Sequence, residues 1–399
     1  MVAALTRIFG VHNLALAEDV VQDAFCRALD VWTTRGVPDN PSAWLMTAAK
    51  NRALDLLRRD RTAQTLAPEI GRMVETEWAP TLDEAFAAHT IRDEQLRMMF
   101  SCCHPRLRED VQIALILNVL CGFGAAEIAS AFLVGRAALE KRLSRGKHIL
   151  AGAKRLFELS DADFAQRLSA VHCALYLLFN EGYHGASAER AVRVELCSEA
   201  MRLTALLREH EPAATPATNA LAALMCLHAA RLSARIDAAG DLSPLGDQDR
   251  STWDQRLIAD GLALLDDSAT GDEITPYHLE AGIAATHAAA SSIEDTNWAQ
   301  IVSLYDRLMI ISPSPVIALN RAIAIAHRDG AERGLEEMHS IVDRVRLAGY
   351  PFYPAAIAEL EVRRGNRDAA RAHFVAALGL ARNATERRFL ERRVASCES

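Results

Sequence analysis

The chain has 399 residues, a formal net charge of −8, 50% hydrophobic residues and only 6% aromatic ones. That length allows two or three domains, each able to bury its own core. No run of about 18 apolar residues without charges occurs, which excludes a membrane-spanning helix. The start, MVAALTRIFGVHNLALAEDV, lacks the charged segment, apolar core and cleavage site of a secretory leader, so a cytoplasmic location is expected.

Ala, Leu and Arg dominate and runs of Val, Ile and Thr are rare, a composition that predicts an all-α fold. The eight cysteines (Cys26, Cys102, Cys103, Cys121, Cys173, Cys197, Cys226 and Cys397) are scattered without a C-x-x-C pair. They read as reduced core thiols. With no H-E-x-x-H and no nucleophile motif, neither a metal, a cofactor nor an enzyme is expected. Cys102-Cys103-His104 tempts a metal reading, but vicinal cysteines and the next histidine do not readily surround one tetrahedral ion.

Apolar residues at Ala17, Val20, Val21, Ala24, Phe25, Ala28, Leu29 and Trp32 keep i, i+3, i+4 spacing and predict an amphipathic helix over Ala17–Trp32. A loop with Gly36, Pro38 and Pro41 ends it. Ser42 is the expected N-cap of a second helix over Ala43–Arg59, which buries Leu45, Ala48, Ala49, Ala53, Leu56 and Leu57 and presents Lys50, Asn51, Asp55, Arg58 and Arg59. Residues 62–92 hold Pro68, Pro80 and a cluster of acids, and read as a flexible acidic linker.

Residues 93–155 form a second helical unit that ends in a helix-turn-helix. Ala125–Phe132 is its supporting helix, Leu133-Val134-Gly135 its turn, with Gly135 available for a left-handed backbone, and Arg136–Ala151 its recognition helix. Seven Lys/Arg and one acid, Glu140, fall between Arg136 and Arg155. Such a basic helix in an acidic chain is an electrostatic footprint for nucleic acid. Leu139, Leu143, Gly146 and Ile149/Leu150 are expected inside, which leaves Arg136, Lys141, Ser144, Arg145 and Lys147 for a groove. Whether the cations read guanine edges or clamp phosphates stays open. The competing reading is an ordinary solvated face of a helical solenoid.

Helices continue at short intervals, with Phe164–Phe179 strongly apolar, another helix at 187–208, a break at Glu211–Thr218, and loops at Gly240–Arg250 and Asp266–Pro276. Gly330 and Gly365 each lie between two helical patterns, and their spacing is near the ~34 residues of tetratricopeptide repeats. The predicted domains are therefore 1–61, the linker 62–92, 93–155, a connecting segment 156–210, and a helical-repeat domain 211–399.

AEDVVQDAFCRAL (Ala17–Leu29) resembles the polymerase-binding helix of region 2 of bacterial sigma factors, and PSAWLMTAAKNRALDLLRR (Pro41–Arg59) resembles the promoter −10 segment that follows it. GFGAAEIASAFLVGRAALEKRLSRGK resembles region 4, which reads the −35 element. Two such units joined by a short acidic linker resemble extracytoplasmic-function (ECF) sigma factors. DEQLRMMFSCCHPRL, LYLLFNEGY and SPLGDQDRSTWD resemble the ECF subgroup with a tetratricopeptide-like C-terminal extension.

The resemblance implies core RNA polymerase and promoter DNA as partners. It places Asp19, Gln22, Asp23 and Phe25 on the polymerase. It places Trp44, Lys50, Asn51, Asp55, Arg58 and Arg59 on the −10 DNA, with Trp44 either stacking on a base or packing in the core. It places Arg136, Lys141, Arg142, Arg145 and Lys147 on the −35 DNA, and threads the acidic linker through the polymerase channel. It also implies that the extension regulates in cis, with its concave face open to a protein regulator. Family members usually carry a longer helix before Leu5, so region 2 is expected to be short here. Ala138 stands where relatives carry a hydroxyl and Glu140 where they carry a base, which implies weaker −35 contact. The alternative is a one-component helix-turn-helix regulator with a helical sensor domain, which has no need of residues 17–59. An enzyme or a bare repeat scaffold explains the basic helix less well.

Overall fold

A computed structural model describes residues 1–2, 5–6, 14–63, 88–132, 134–152, 161–184, 192–237 and 241–398. Seventeen α-helices and no strand occur among them, apart from one isolated antiparallel bridge, Ile236 with Leu242. No helix of the described residues is long and apolar enough to cross a membrane. The fold is all-α, as composition predicted. The chain divides into two compact units, Met1–Ala174 and Leu175–Ser399.

The first unit opens on a helical pair, α1 (Leu14–Arg35) and α2 (Pro41–Ala63). Ala17, Val20, Ala24 and Ala28 of α1 are buried against Leu45, Met46, Ala49 and Ala53 of α2, with Leu5 beside them. Alanine at successive turns lets the two backbones approach closely, so a narrow stripe suffices for a core. Trp32 and Trp44 meet edge-on at 5.5 Å and close the loop end of the pair. Gly36 turns the chain with φ +78°. The cap of α2 is not Ser42: Asn40 Oδ1 accepts the Ala43 N–H at 3.1 Å, and Pro41 takes the first helical position, where its missing N–H is harmless. The acidic segment expected at 62–92 lies outside the described residues from 64 to 87, and helix α3 (Ala88–Cys102) begins within it.

Helices α4 (Glu109–Val119), α5 (Ala125–Ala131) and α6 (Arg136–Ala151) follow. Gly122, at φ +73°, reverses the chain after α4, and Asn118 Nδ2 donates to Phe123 O at 2.7 Å to hold that turn. Glu127 Oε2 accepts the Gly124 N–H at 2.8 Å and caps α5. Gly135 precedes α6 with φ −71°, ψ 136°, an extended rather than left-handed conformation, so glycine is not required there. The essential glycine is Gly146. A Cβ on it would lie 2.9 Å from Leu115 Cδ1 and 3.0 Å from Val111 Cγ1, and its absence seats α6 on α4. Helix α7 (Asp161–His184) starts in this unit, where the Phe164 ring packs edge-on against Phe100 at 4.5 Å and Arg167 donates to Phe100 O at 3.2 Å.

The second unit is a row of helices: α8 (Val194–Glu209), α9 (Pro216–Ala229), α10 (Gln255–Asp267), α11 (Pro276–Ala288), α12 (Trp298–Ile311), α13 (Pro315–Asp329), α14 (Ala331–His339), α15 (Phe352–Arg363), α16 (Arg367–Gly379) and α17 (Ala384–Ser396). Each packs chiefly on the next, or on the next but one, so its core is a chain of local clusters rather than one centre. Gly330 and Gly365, at φ +100° and +79°, sit between α13 and α14 and between α15 and α16. The loop 241–254 is ordered by buried polar groups. Arg250 donates to His287 O at 2.8 Å, Ala290 O at 3.0 Å and Thr296 Oγ1 at 3.1 Å. Asp254 caps the following helix, accepting from Arg256 N and Leu257 N.

One buried contact makes this unit sensitive to pH. Tyr176 Oη donates to Glu280 Oε2 at 2.9 Å, and burial raises the Glu280 carboxyl from 4.5 to about 7. The folded state then binds the proton more tightly than the unfolded chain. The contribution of this one group to stability is greatest below about pH 4.5, falls as pH rises to about 7, and levels off above it. Glu280→Gln keeps the acceptor and removes the charge. Its melting temperature should exceed the wild type's by more at pH 8 than at pH 5; equal differences at both pH values would contradict this account.

Candidate nucleic-acid interface

The candidate surfaces lie in the first unit. Because the alanine stripe of α1 turns inward, Asp19, Gln22 and Phe25 are exposed. Phe25 and Leu29 are 50% and 70% exposed, an apolar patch beside acidic groups. Asp23 accepts a hydrogen bond from Arg52 Nε of α2 at 2.8 Å. Both side chains of that pair remain open to water, so it contributes under about 1 kcal/mol and serves chiefly to orient the carboxylate.

On α2, Asn51 and Asp55 are exposed and Lys50 is half-buried. Trp44 packs on Trp32 at the edge of the helical core, which favours the packing side of its two expected roles. The side chains of Arg58 and Arg59 lie outside the described residues.

Helix α6 has the expected inner face: Leu139, Leu143, Gly146 and Leu150 are buried. Its outer face differs from the expectation. Arg136 Nε donates to Glu140 Oε1 at 2.7 Å, an i, i+4 pair that accounts for the acid in this basic helix. Arg142 reaches back to Asp110 of α4 at 3.0 Å. Lys147 was expected to be left for a groove, but its Nζ donates to both carboxylate oxygens of Glu18 at 2.7 Å, and both side chains are more than two-thirds buried. Glu18 lies on α1 beside Asp19, so this pair joins the recognition helix to the helix expected to meet polymerase. Lys141 and Arg145 are exposed and make no ion pair among the described residues. Sequence spacing offered no signal for a pair 129 positions apart.

Cys102, Cys103 and His104 do not converge. Cys103 Sγ donates to Met99 O at 3.5 Å, while His104 Nδ1 accepts the Arg106 N–H at 3.2 Å. Burial pushes the Cys103 thiol up to about 12 and Cys102 well above its usual range. Among the described residues no group of three His, Cys, Asp or Glu is placed to hold a metal ion.

Residues 1–62, the α1–α2 pair with the chain before it, match sigma-70 region 2. Over 389 residues the chain is 39% identical to an uncharacterized protein of Rhizobium meliloti (strain 1021), a match that spans 97% of this chain and 90% of that one. The chain belongs to the same family as that protein, with a sigma-70 region 2 at its N-terminus. Region 2 of sigma-70 proteins binds core RNA polymerase and promoter DNA, and the sigma-70 family consists of non-enzymatic transcription factors. The region 2 match, which covers α1 and α2, supports a sigma-factor-like role in promoter recognition. Residues 167–269 match a family of unknown function, DUF6596. No solved structure matches the chain.

Proposed function

We propose that the chain is an ECF-type sigma factor: it binds core RNA polymerase through α1, engages the −10 element through α2 and the −35 element through α6, and is regulated in cis by a tetratricopeptide-like C-terminal unit. The observation that carries this reading is the placement of an unpaired basic surface, Lys141 and Arg145 on α6, in one compact unit with a sigma-70 region 2. Asp19, Gln22, Asp23 and Phe25 supply an acidic, partly apolar surface for the polymerase. Asn51, Asp55 and Lys50 form the described part of the −10 surface. Helical pairs that pack on their neighbours in sequence, with Gly330 and Gly365 at matching turns, support the repeat assignment.

Run-off transcription with purified core polymerase tests the proposal. Specific initiation should require this chain, and shortening it after Ala174 should change promoter output while the first unit stays folded. Failure to capture core polymerase would leave the one-component regulator as the better reading.

In this scheme the Lys147–Glu18 pair withholds one cation from DNA. Glu18→Gln should release it. Affinity for a −35 duplex then rises about threefold to tenfold, and the plot of log affinity against log salt steepens by about 0.9, the signature of one added phosphate contact. An unchanged salt slope would assign the pair a structural role alone.

A further inference from the structure

Two sequence motifs, LYLLFNEGY and SPLGDQDRSTWD, remain without a role in promoter recognition. The fold brings them to one place in the second unit. The first supplies Tyr183 and the second Trp253, both buried, and between them stand two arginines that follow α9. Arg231 Nε donates to Tyr183 Oη, and its guanidinium lies 5.5 Å from the Tyr183 ring and 5.9 Å from the Trp253 ring. Arg235 lies 4.1 Å over the same Tyr183 ring, with Nη2 3.4 Å from His184 Nδ1. The His228 ring faces Tyr183 at 5.0 Å. All six residues fall within the segment 167–269 that matches the family of unknown function.

Among the described residues this cluster has no carboxylate counter-ion. Among the described residues neither Arg231 nor Arg235 pairs with a carboxylate, although the chain carries 52 acids to 44 Lys and Arg. Burial, with the neighbouring Arg231 charge adding to it, instead holds the Arg235 guanidinium below its usual range. Burial and these two cations also hold His184 and His228 well below the usual histidine range, so both rings are neutral. Arg235 Nε and Trp253 Nε1 are buried donors with no acceptor among the described residues. Half-buried cations without a carboxylate partner are costly, and orphaned donors add to that cost. Aromatic faces hold the guanidinia in place. Gly182, next to Tyr183, lets α7 approach the start of α8 closely, because a Cβ there would lie 2.8 Å from Arg193 O and from Cys197 N. Fixed guanidinium forks with unused donors match the paired oxygens of a carboxylate or phosphate.

We propose that Arg231 and Arg235 form the anion-binding centre of a small-ligand site in the C-terminal unit, taking a phosphate or carboxylate group, with Tyr183 and Trp253 as aromatic walls and His184 and His228 at its edge. The anion supplies the missing counter-charge. Binding needs neither polymerase nor DNA, so it is measured on the full chain alone and stands apart from the sigma reading.

The test uses pyrophosphate and citrate as probes of the two oxyanion sources, with sodium chloride matched in ionic strength, read by thermal denaturation and calorimetric titration. At least one probe should raise the melting temperature beyond the chloride control. Arg231→Gln and Arg235→Gln should each weaken that probe about tenfold or more, while Arg387→Gln, at an exposed position on α17, leaves it unchanged. Without ligand, Arg235→Gln should melt no lower than the wild type, because a repulsive charge has gone; a merely structural arginine would lower it. Arg235→Lys keeps the charge and loses the fork, and should bind less tightly than wild type with its fold intact. A response to pyrophosphate alone assigns the site to phosphate, and to citrate alone, to carboxylate. No shift with either probe, or wild-type affinity in both glutamine variants, overturns the proposal.

Discussion

Core polymerase reconstituted with the Lys141→Glu/Arg145→Glu variant should give about a hundredfold less specific run-off transcript than with the wild-type chain, at about 1–3 kcal/mol for each contact removed. Two facts make the effect on DNA separable from one on folding. Both side chains are exposed, and neither has an ion-pair partner among the described residues, so reversing their charge breaks no internal contact. The buried face of α6 is untouched, and circular dichroism and melting temperature should not change. The other cations of the helix make poorer probes, because Arg136, Arg142 and Lys147 each hold a carboxylate and their loss mixes the two effects. Promoter output at the wild-type level from a normally folded double variant would remove α6 from the DNA interface.

The second large effect is on stability. Gly334→Ala should destabilise the C-terminal unit by about 3 kcal/mol, since overpacking of a tight core has few outlets. A Cβ at residue 334 would sit 2.3 Å from Ala326 Cβ, 3.0 Å from Ala326 Cα and 3.0 Å from Leu360 Cδ1. Helix α14 therefore rests on α13 with no room for a methyl group. The neighbour it meets is itself an alanine fixed to backbone, so no flexible side chain can swing away. Gly330 at φ +100° sets the turn between the two helices, and the clash cannot be relieved there without strain at another buried contact. For a unit of this size the melting temperature should drop by about 6–12 °C. A change within about 2 °C would show that α13 and α14 separate easily.

Much of this was legible in the sequence because helices announce themselves locally. The alanine stripe of α1 and the leucine spacing of α6 define inner faces directly, and Arg136–Ala151 spans the expected residues. Capping was less legible, because Asn40 and Ser42 are both good caps and the choice falls to the backbone before Pro41. The state of the basic helix was hidden. Charge counting registers Arg142 and Lys147 as free cations, whereas their partners, Asp110 and Glu18, lie on helices that only the tertiary fold brings near. The arginines behind α9 escaped notice for the same reason. Nothing in ALMCLHAARLSARI indicates that two of its cations share one tyrosine ring.

The burial of the thiols has a practical consequence. Cys102, Cys103, Cys197 and Cys226 are buried, Cys121, Cys173 and Cys397 are half-buried, and Cys26 alone among the described cysteines is exposed. Thiolates attack reagents, and burial raises the Cys173 and Cys226 thiols to about 11 and those of Cys103 and Cys197 to about 12. A maleimide dye will therefore find Cys26 first, on α1 directly after Phe25. With no mutagenesis at all, the native chain carries its own attachment point for a fluorophore on the helix that a sigma-factor role would bury.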